Sequence, residues 1–278
     1  MPRPDASLAD TGRQAKAASK PWVERLARLG YAAKGVVYLI IGVLAAQAAL
    51  GRGGATTDSQ GALRALADQS FGAILLGLVG IGLAAYALWR FVEALIDPEG
   101  KGLAKRIAHV SVGLIYGALA INAIDLITSD GDGDGGQVFS EESWTARVLA
   151  QPFGRFAVGL VGVGVIAYFL YQIFKAWKGD FPESLKVGDL SGTEARWARR
   201  LGTFGLASRG VVFSLIGLFL IQAAIQYDPQ RAGGLDQSLQ AVAQQRYGMA
   251  LLGIVALGLV AYGSYMLLIA RFRRSFVY

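Results

Sequence analysis

The stretch of sequence that decides the fold covers residues 71–90 and reads FGAILLGLVGIGLAAYALWR. Nineteen of its twenty residues are uncharged, and its glycines are Gly72, Gly77, Gly80 and Gly82. A helix needs about 20 mainly apolar residues to cross the hydrocarbon core of a bilayer. The apolar residues occupy all faces of a helix here, whereas a helix of a water-soluble bundle would have a polar face. The stretch therefore predicts a membrane-spanning helix.

Five further windows of the 278-residue chain have the same apolar character. The six predicted spans are residues 29–50, 71–95, 107–128, 153–174, 203–226 and 247–270. Over the whole chain 54% of the residues are hydrophobic and 17% are charged, whereas a soluble domain has about 25% charged residues. If these six helices were buried in a soluble protein, the rest of the chain would have too few polar residues to cover them. The composition indicates an all-α polytopic membrane protein.

The glycine pattern of the opening stretch occurs three times. The pattern is F/Y-G-x4-G-x2-G/A-x-G-x2-A-Y, and it begins at Phe71, Phe153 and Tyr247. Small residues let helices approach closely in lipid, so we expect tight packing, and a Gly159→Leu substitution should impair assembly. A pore lined by glycine is the alternative interpretation. Three matches of this length indicate an internal triplication.

The odd-numbered spans repeat less evenly. The first contains Lys34-Gly35-Val36-Val37-Tyr38, and the fifth contains Arg209-Gly210-Val211-Val212-Phe213. The third span has Val112 where the other two are basic. Since each copy holds two spans, the chain returns to the same side after each copy, and the copies are parallel. We therefore predict six transmembrane helices arranged as three parallel helical hairpins with pseudo-threefold symmetry.

The domain organisation follows from this triplication. We predict a cytoplasmic N-terminal segment, three repeats of two spans each, and a cytoplasmic linker before the third repeat. In chain order these are residues 1–28 (segment), 29–97 (repeat 1), 103–178 (repeat 2), 179–200 (linker) and 201–274 (repeat 3).

The distribution of basic residues predicts the orientation. Of the 27 Lys and Arg residues, 21 lie on the side of the two termini and 6 lie in the other three loops. Cytoplasmic loops retain Lys and Arg, so both termini should be cytoplasmic. The first 28 residues are polar and basic and carry no signal-peptide pattern, so we expect the first span to stay in the membrane.

The paired spans, the two basic motifs and the triplicated glycine pattern resemble a bacterial membrane-protein family known as domain of unknown function 1206. The resemblance covers roughly residues 29–274 and is weaker for the second copy. It implies three tandem two-helix repeats and a location in the bacterial cell (inner) membrane. It implies no activity and supplies no site residues.

Two basic residues lie inside predicted spans, Lys34 and Arg209. A charge at the bilayer centre costs about 2.5–3.5 kcal/mol, although a long side chain near a helix end reaches the headgroups. These residues are therefore either topology anchors that touch lipid phosphate or part of a pocket for an anion or a lipid headgroup. Arg25 and Arg200 precede them at equal spacing and would share that contact.

Polar residues recur toward the opposite ends of the odd spans. Gln47, Asp125 and Gln222 each follow the glycine of the motif by twelve residues, and Asn122 lies one turn before Asp125. Under the threefold arrangement they would form a polar ring. Polar groups in the membrane are costly unless partnered, so the ring predicts either an interhelical hydrogen-bond network or a path for a solute.

The loop after the third span matches a calcium-loop pattern. Asp130, Asp132 and Asp134 alternate with glycine, the Gly136 carbonyl follows, and Glu141 falls at position twelve. Three carboxylates, a carbonyl and a bidentate glutamate supply the oxygen ligands that calcium prefers. A flexible acidic linker is the alternative. Calcium is the one cofactor for which the sequence gives a pattern.

The number of cysteine and histidine residues limits the possible functions. The chain has no cysteine and one histidine, His109, which excludes sites that need two such residues. Three short segments, residues 59–69, 142–150 and 235–245, are expected to cover one end of the bundle as interfacial helices, with a substrate lid as the alternative.

The partners that we expect are membrane lipids, with a homo-oligomer allowed and no nucleic acid. We predict an integral membrane protein with a structural or binding role. The alternative is a small-solute or ion permease or channel along the threefold axis, and an enzyme is not expected.

Overall fold

A computed structural model describes residues 5–96, 103–128, 141–178 and 192–272. These residues are mostly helical. The helices are α1 (Asp5–Ala49), α2 (Ser59–Ala67), α3 (Gly72–Ile96), α4 (Leu103–Thr128), α5 (Glu141–Leu149), α6 (Gly154–Lys178), α7 (Gly192–Gln226), α8 (Leu235–Ala243) and α9 (Gly248–Phe272).

Six helices in these ranges are long and apolar enough to cross a membrane. The membrane-spanning parts are Arg25–Ala49, Gly72–Leu95, Arg106–Thr128, Gly154–Lys175, Arg196–Gln226 and Gly248–Phe272. The prediction of six spans is confirmed. Their outer surfaces carry many exposed large apolar side chains, such as Leu78, Phe156 and Leu160, which suits a lipid solvent.

The two ends of the bundle differ. One end, called the basic end below, carries Arg25, Arg90 and Arg200, and the chain enters α1, α4 and α7 from there. The short helices α2, α5 and α8 lie in the connections at the other end, which is called the capped end.

The six spans pack side by side in the order α4, α3, α1, α9, α7, α6. The most extensive interfaces, α1–α9, α6–α7 and α3–α4, each join spans of two different repeats. Within repeat 1, α1 packs on α3, and within repeat 3, α7 packs on α9. Among the described residues, α4 and α6 of repeat 2 form no such interface. The hairpins of repeats 1 and 3 are therefore closed in the described residues, while the middle hairpin is open, and the pseudo-threefold symmetry stays a prediction.

Glycines bring the spans of different repeats into backbone contact. A Cβ on Gly263 would lie 2.7 Å from the carbonyl oxygen of Gly35, and a Cβ on Gly35 would lie 2.9 Å from that of Gly263. Gly162 and Gly217 have the same relation across α6 and α7, at 2.7 and 2.8 Å. Gly159 leaves ordinary space, 3.7 Å to the nearest side chain, so the close contact of α6 with α7 is at Gly162 and not at Gly159.

Glycines also mark which hairpins are closed. In repeat 1 a Cβ on Gly82 would lie 2.6 Å from the Cβ of Ala33, and in repeat 3 a Cβ on Gly258 would overlap Ser208. Gly164 is the equivalent residue of repeat 2, and no atom of the described residues lies within 4 Å of a Cβ built there. The glycine that closes the other two hairpins therefore faces open space in the middle one.

Three equivalent turns join the short helices to the spans that follow them. In each turn the amide of a glycine donates to the carbonyl of a glutamine three residues earlier: Gly72 to Gln69 at 2.7 Å, Gly154 to Gln151 at 2.9 Å and Gly248 to Gln245 at 2.7 Å. A Cβ on any of these glycines would overlap a carbonyl near the end of the short helix. This explains the invariant F/Y-G start of the repeat.

An apolar core fills the capped half of the bundle. It joins α1, α3, α4, α7 and α9 to the short helices α2 and α8 in one cluster. Its fully buried side chains include Ile41, Leu63, Leu83, Leu239 and Leu259. The bundle is therefore closed by packed side chains toward the capped end.

Candidate anion site in an aromatic chamber

Lys34 is a buried cation in the half of the bundle nearer the basic end. Only 7% of the residue is exposed, and it follows Arg25 by nine residues, which is about 13 Å along the helix. Its ammonium nitrogen lies over three tyrosine rings, 5.3 Å from Tyr86, 5.4 Å from Tyr116 and 5.8 Å from Tyr262, measured to the ring centroids. These rings belong to three different spans, so Lys34 points into the bundle.

Arg209 occupies the equivalent position of repeat 3. Its guanidinium carbon lies 4.6 Å from the ring centroid of Phe213, 5.1 Å from those of Phe169 and Tyr262, and 5.7 Å from that of Tyr38. Its Nε donates a hydrogen bond of 3.1 Å to the Tyr38 hydroxyl. Arg209 therefore faces the same interior as Lys34, and Tyr262 contacts both cations.

These two cations and six rings form one set, called the aromatic chamber below. The rings are those of Tyr38, Tyr86, Tyr116, Phe169, Phe213 and Tyr262. All six spans contribute a ring or a cation. Ring contacts join neighbouring spans, with centroid separations of 4.8 Å for Tyr38–Tyr262 and 4.6 Å for both Tyr86–Tyr116 and Phe169–Phe213. The chamber is therefore built by the repeat as a whole.

Arg90 is a third cation beside the chamber, and its charge is balanced. One Nη donates to the Tyr86 hydroxyl at 2.7 Å, and the other donates to a Glu93 carboxylate oxygen at 2.7 Å. The second Nη also lies 3.1 Å from Nδ1 of His109, and this Nδ1 accepts in that bond because a guanidinium only donates. The single histidine thus belongs to an ion-pair cluster that orients Tyr86.

Lys34 and Arg209 lack such a carboxylate partner within the part of the chain that the structure describes. A cation–π contact contributes about 0.5–2 kcal/mol, whereas a charged residue at the centre of a membrane costs about 2.5–3.5 kcal/mol. The two like charges also repel each other through a medium of low dielectric constant. The chamber is therefore electrostatically complementary to an anion, such as a phosphate or a carboxylate.

The middle repeat contributes differently. Val112 stands where the other repeats have the cation, and Tyr168, the counterpart of Tyr86 and Tyr262, is 55% exposed. Tyr86 and Tyr262 are almost fully buried, each against the cation of its own repeat. Because α4 has Val112 at the position of the cation, Tyr168 has no equivalent partner, and this accompanies the open hairpin of repeat 2.

Arg25 and Arg200, which the spacing pairs with Lys34 and Arg209, are exposed at the basic end. The guanidinium carbon of Arg200 lies 5.9 Å from the ring centroid of Trp197. The structure therefore brings Lys34 and Arg209 together in the chamber and leaves the other two arginines at the surface. Lipid contact by all four residues stays a prediction.

The residues of the predicted polar ring lie in different environments. Gln47 and Gln222 are exposed, and Asp125 is half-buried. Asn122 is 4% exposed, and neither its amide nitrogen nor its amide oxygen has a hydrogen-bond partner among the residues that the structure describes. The ring stays a prediction, which the exposure of Gln47 and Gln222 does not favour.

The predicted calcium loop lies outside the described residues. This applies to Asp130, Asp132, Asp134 and Gly136, and the side chain of Glu141, which begins α5, is also not described. Calcium binding stays a prediction.

The partnership of cations and tyrosines was missed in the sequence. Tyr86 and Tyr262 served there only as markers of the repeat. There was no signal for it in the sequence, because the tyrosine is present in all three copies and its burial in two of them is seen only in the structure.

The fold and the chamber define a polytopic α-helical membrane protein built from three copies of a two-span unit. The chain belongs to the family described as Domain of Unknown Function (DUF1206), which matches residues 29–97, 107–179 and 204–273. This confirms the resemblance and the three tandem repeats. The chain is similar to the uncharacterized protein YxxB of Bacillus subtilis (strain 168), with 39% identity over 258 residues, covering 91% of this chain and 92% of the relative. No solved structure matches the chain.

Proposed function

We propose that this protein is a binding protein of the bacterial inner membrane that holds an anionic ligand in the aromatic chamber. The ligand carries a phosphate or carboxylate group. The observation that carries the proposal is that Lys34 is buried and Arg209 half-buried in one chamber, without a carboxylate partner in the described part of the chain.

The two cations would contact the anion in different ways. The guanidinium of Arg209 offers several donors in one plane, which match the paired oxygens of a phosphate or carboxylate. The ammonium of Lys34, which contacts the same Tyr262 ring as Arg209, acts as a point charge. An anion between them would lower the cost of burying both charges. The aromatic faces hold the cations in place before the ligand arrives.

The closed capped half favours binding over transport. Fully buried apolar side chains, among them Ile41, Leu76, Leu252 and Leu259, fill the bundle between the chamber and the capped end. We also propose that the chain is not an enzyme and has no resident cofactor for catalysis. Its chamber joins cations to rings, and no Asp, Glu or His of the described residues contacts Lys34 or Arg209.

One observation favours the alternative, a permease. Asn122 places an amide without a partner inside the apolar core, toward the capped end. A hydrated path would satisfy this amide. Flux of anions into liposomes separates the two functions. We expect no flux above that of empty liposomes, and a flux that Asn122→Leu abolishes would support the permease.

We place both termini in the cytoplasm. The excess of Lys and Arg at the basic end supports this orientation. Because the chain has no cysteine, single cysteines introduced at Ser59 and Arg200 report it directly. A membrane-impermeant maleimide should label the Ser59 variant in intact cells and the Arg200 variant only after lysis.

Binding is tested by thermal unfolding in a neutral detergent. The probes are phosphatidylglycerol and inorganic phosphate, and phosphatidylcholine is the zwitterionic control. At least one anionic probe should raise the unfolding temperature of the wild type. The Lys34→Gln/Arg209→Gln variant should lose this rise, while the Arg25→Gln/Arg200→Gln variant, with the same net charge, should keep it.

An Arg209→Lys variant guards against a folding defect, since it keeps the charge and should keep most of the effect. Equal responses in the two double variants would contradict the proposal.

A further inference from the structure

We infer that the ligand of the chamber is an anionic phospholipid that enters sideways from the membrane, through the opening between α4 and α6. The inference rests on the proposed anion binding. It adds the class of ligand and the route by which the ligand arrives.

The first argument is that the opening exposes a helix face that the other repeats bury. On α6 the residues Gly164, Ala167, Tyr168 and Tyr171 are all exposed. On α3 and α9 the counterparts Gly82, Tyr86, Gly258 and Tyr262 pack against the first span of their own repeat. The buried counterparts are Gly82, Ala85, Tyr86 and Trp89 on α3 and Gly258, Ala261, Tyr262 and Tyr265 on α9.

The second argument is that the opening leads to the cations. Tyr116 lies on α4 at one side of the opening, and Phe169 lies on α6 at the other. Lys34 lies behind Tyr116, with 5.4 Å from its ammonium nitrogen to the ring centroid. Arg209 lies behind Phe169, with 5.1 Å from its guanidinium carbon to the ring centroid. Each of the two spans that border the opening therefore contributes one ring to the chamber, and that ring contacts a cation.

The third argument is charge complementarity. An anionic phospholipid combines a phosphate with acyl chains, and the opening combines two cations inside with exposed apolar side chains on the spans that border it, such as Leu114 on α4 and Val161 on α6. The headgroup would reach the cations while its chains stay in the hydrocarbon phase. A soluble anion would have to leave water and pass about 13 Å of helix from the level of Arg25.

A second copy of the chain would fit the opening less well. The face that it would present, the same exposed side of α6, is apolar and carries no anion for Lys34 and Arg209. Lipid is also present at high local concentration around every span. We therefore assign the opening to lipid and treat dimerisation as an outcome of the test.

The test compares two glycines that face open space. No atom of the described residues lies within 4 Å of a Cβ on Gly164 or on Gly77, but only Gly164 lies on the exposed face of α6 at the opening. Gly164→Trp fills the opening, and Gly77→Trp is the matched control. Each protein is taken from nanodiscs that contain phosphatidylglycerol and phosphatidylcholine, and retained lipid is counted by native mass spectrometry.

We expect the wild type and Gly77→Trp to retain phosphatidylglycerol and Gly164→Trp to retain at least tenfold less. Millimolar glycerol 3-phosphate, which has the headgroup phosphate without chains, should not displace the lipid from the wild type. Should Gly164→Trp fail to fold, Ala167→Trp fills the same opening from an exposed position.

Three results would overturn the inference. They are equal retention in both tryptophan variants, displacement of the lipid by glycerol 3-phosphate, or a wild-type dimer that Gly164→Trp dissolves. In the first two, anion binding that depends on Lys34 and Arg209 would still stand. If neither lipid nor soluble anion binding depends on these two residues, the proposed function itself fails.

Discussion

Replacing Gly263 by alanine should weaken the packing between the first and last spans. The new Cβ would lie 2.7 Å from the carbonyl oxygen of Gly35 and 2.8 and 2.9 Å from atoms of Leu39. An ordinary contact needs about 3.4 Å or more, so α1 and α9 must separate by several tenths of an ångström. Overpacking of this kind costs about 1–3 kcal/mol.

Replacing a glycine in a helix by alanine also stabilises the helix by about 1 kcal/mol, and this gain would hide part of the cost of overpacking. Gly164→Ala and Gly77→Ala receive the same gain and meet no neighbour within 4 Å, so they isolate the contact. The assay is equilibrium unfolding in mixed micelles of neutral detergent and dodecyl sulfate. We expect Gly263→Ala to be about 1–3 kcal/mol less stable than either control. Equal stabilities of the three variants would refute the assigned backbone contact.

Three further predictions concern single side chains. Burial raises the pKa of Asp58, which also accepts a 2.8 Å hydrogen bond from the Gly61 amide, so the folded protein binds this proton more tightly than the unfolded chain. Stability should therefore rise as the pH falls from the raised pKa toward the ordinary value of 3.8, and Asp58→Asn should remove this dependence in thermal unfolding at several pH values. Asn122→Leu should stabilise the protein by about 1 kcal/mol, since it removes a buried amide without a partner, and a loss in the same assay would contradict this. Tyr262→Ala should cost about 3–5 kcal/mol and the exposed Tyr168→Ala less than about 1 kcal/mol, and equal losses would argue against an open middle hairpin.

The spans and the repeat were predictable because each depends on local sequence. Twenty apolar residues cross a membrane whatever their neighbours do, and the pattern that starts at Phe71, Phe153 and Tyr247 is a direct record of duplication. The exact ends of the helices also depend on turn chemistry. Gln69, whose backbone carbonyl accepts a hydrogen bond from the Gly72 amide, was overlooked because the pattern was taken to start at the aromatic residue.

The opening in repeat 2 was not predictable from the same pattern. Gly164 and Tyr168 match their counterparts in the glycine pattern, yet they face open space, and the helix that should cover them has Val112 at the basic position. Val112 was noticed as a departure, but its consequence depends on which rings the cations of the other repeats reach. Such contacts join residues far apart in the chain, and the spacing of apolar residues and glycines within one span does not indicate them.

Two residues of the chamber were singled out in the sequence, and ligand binding there stays a prediction. Lys34 and Arg209 attracted attention as charges inside spans, and an anion or lipid pocket was one of the two interpretations offered. Arg25 and Arg200 were assigned to the same pocket because the spacing alone cannot tell a buried position from an exposed one. Burial separates the pairs, and so makes Arg25 and Arg200 useful controls.

The most direct measurement is an electron cryomicroscopy structure of the protein in nanodiscs that contain phosphatidylglycerol. The account predicts phosphate density between the Lys34 ammonium and the Arg209 guanidinium, with acyl-chain density leaving the bundle between α4 and α6. A chamber without density, together with α4 packed against α6, would contradict it.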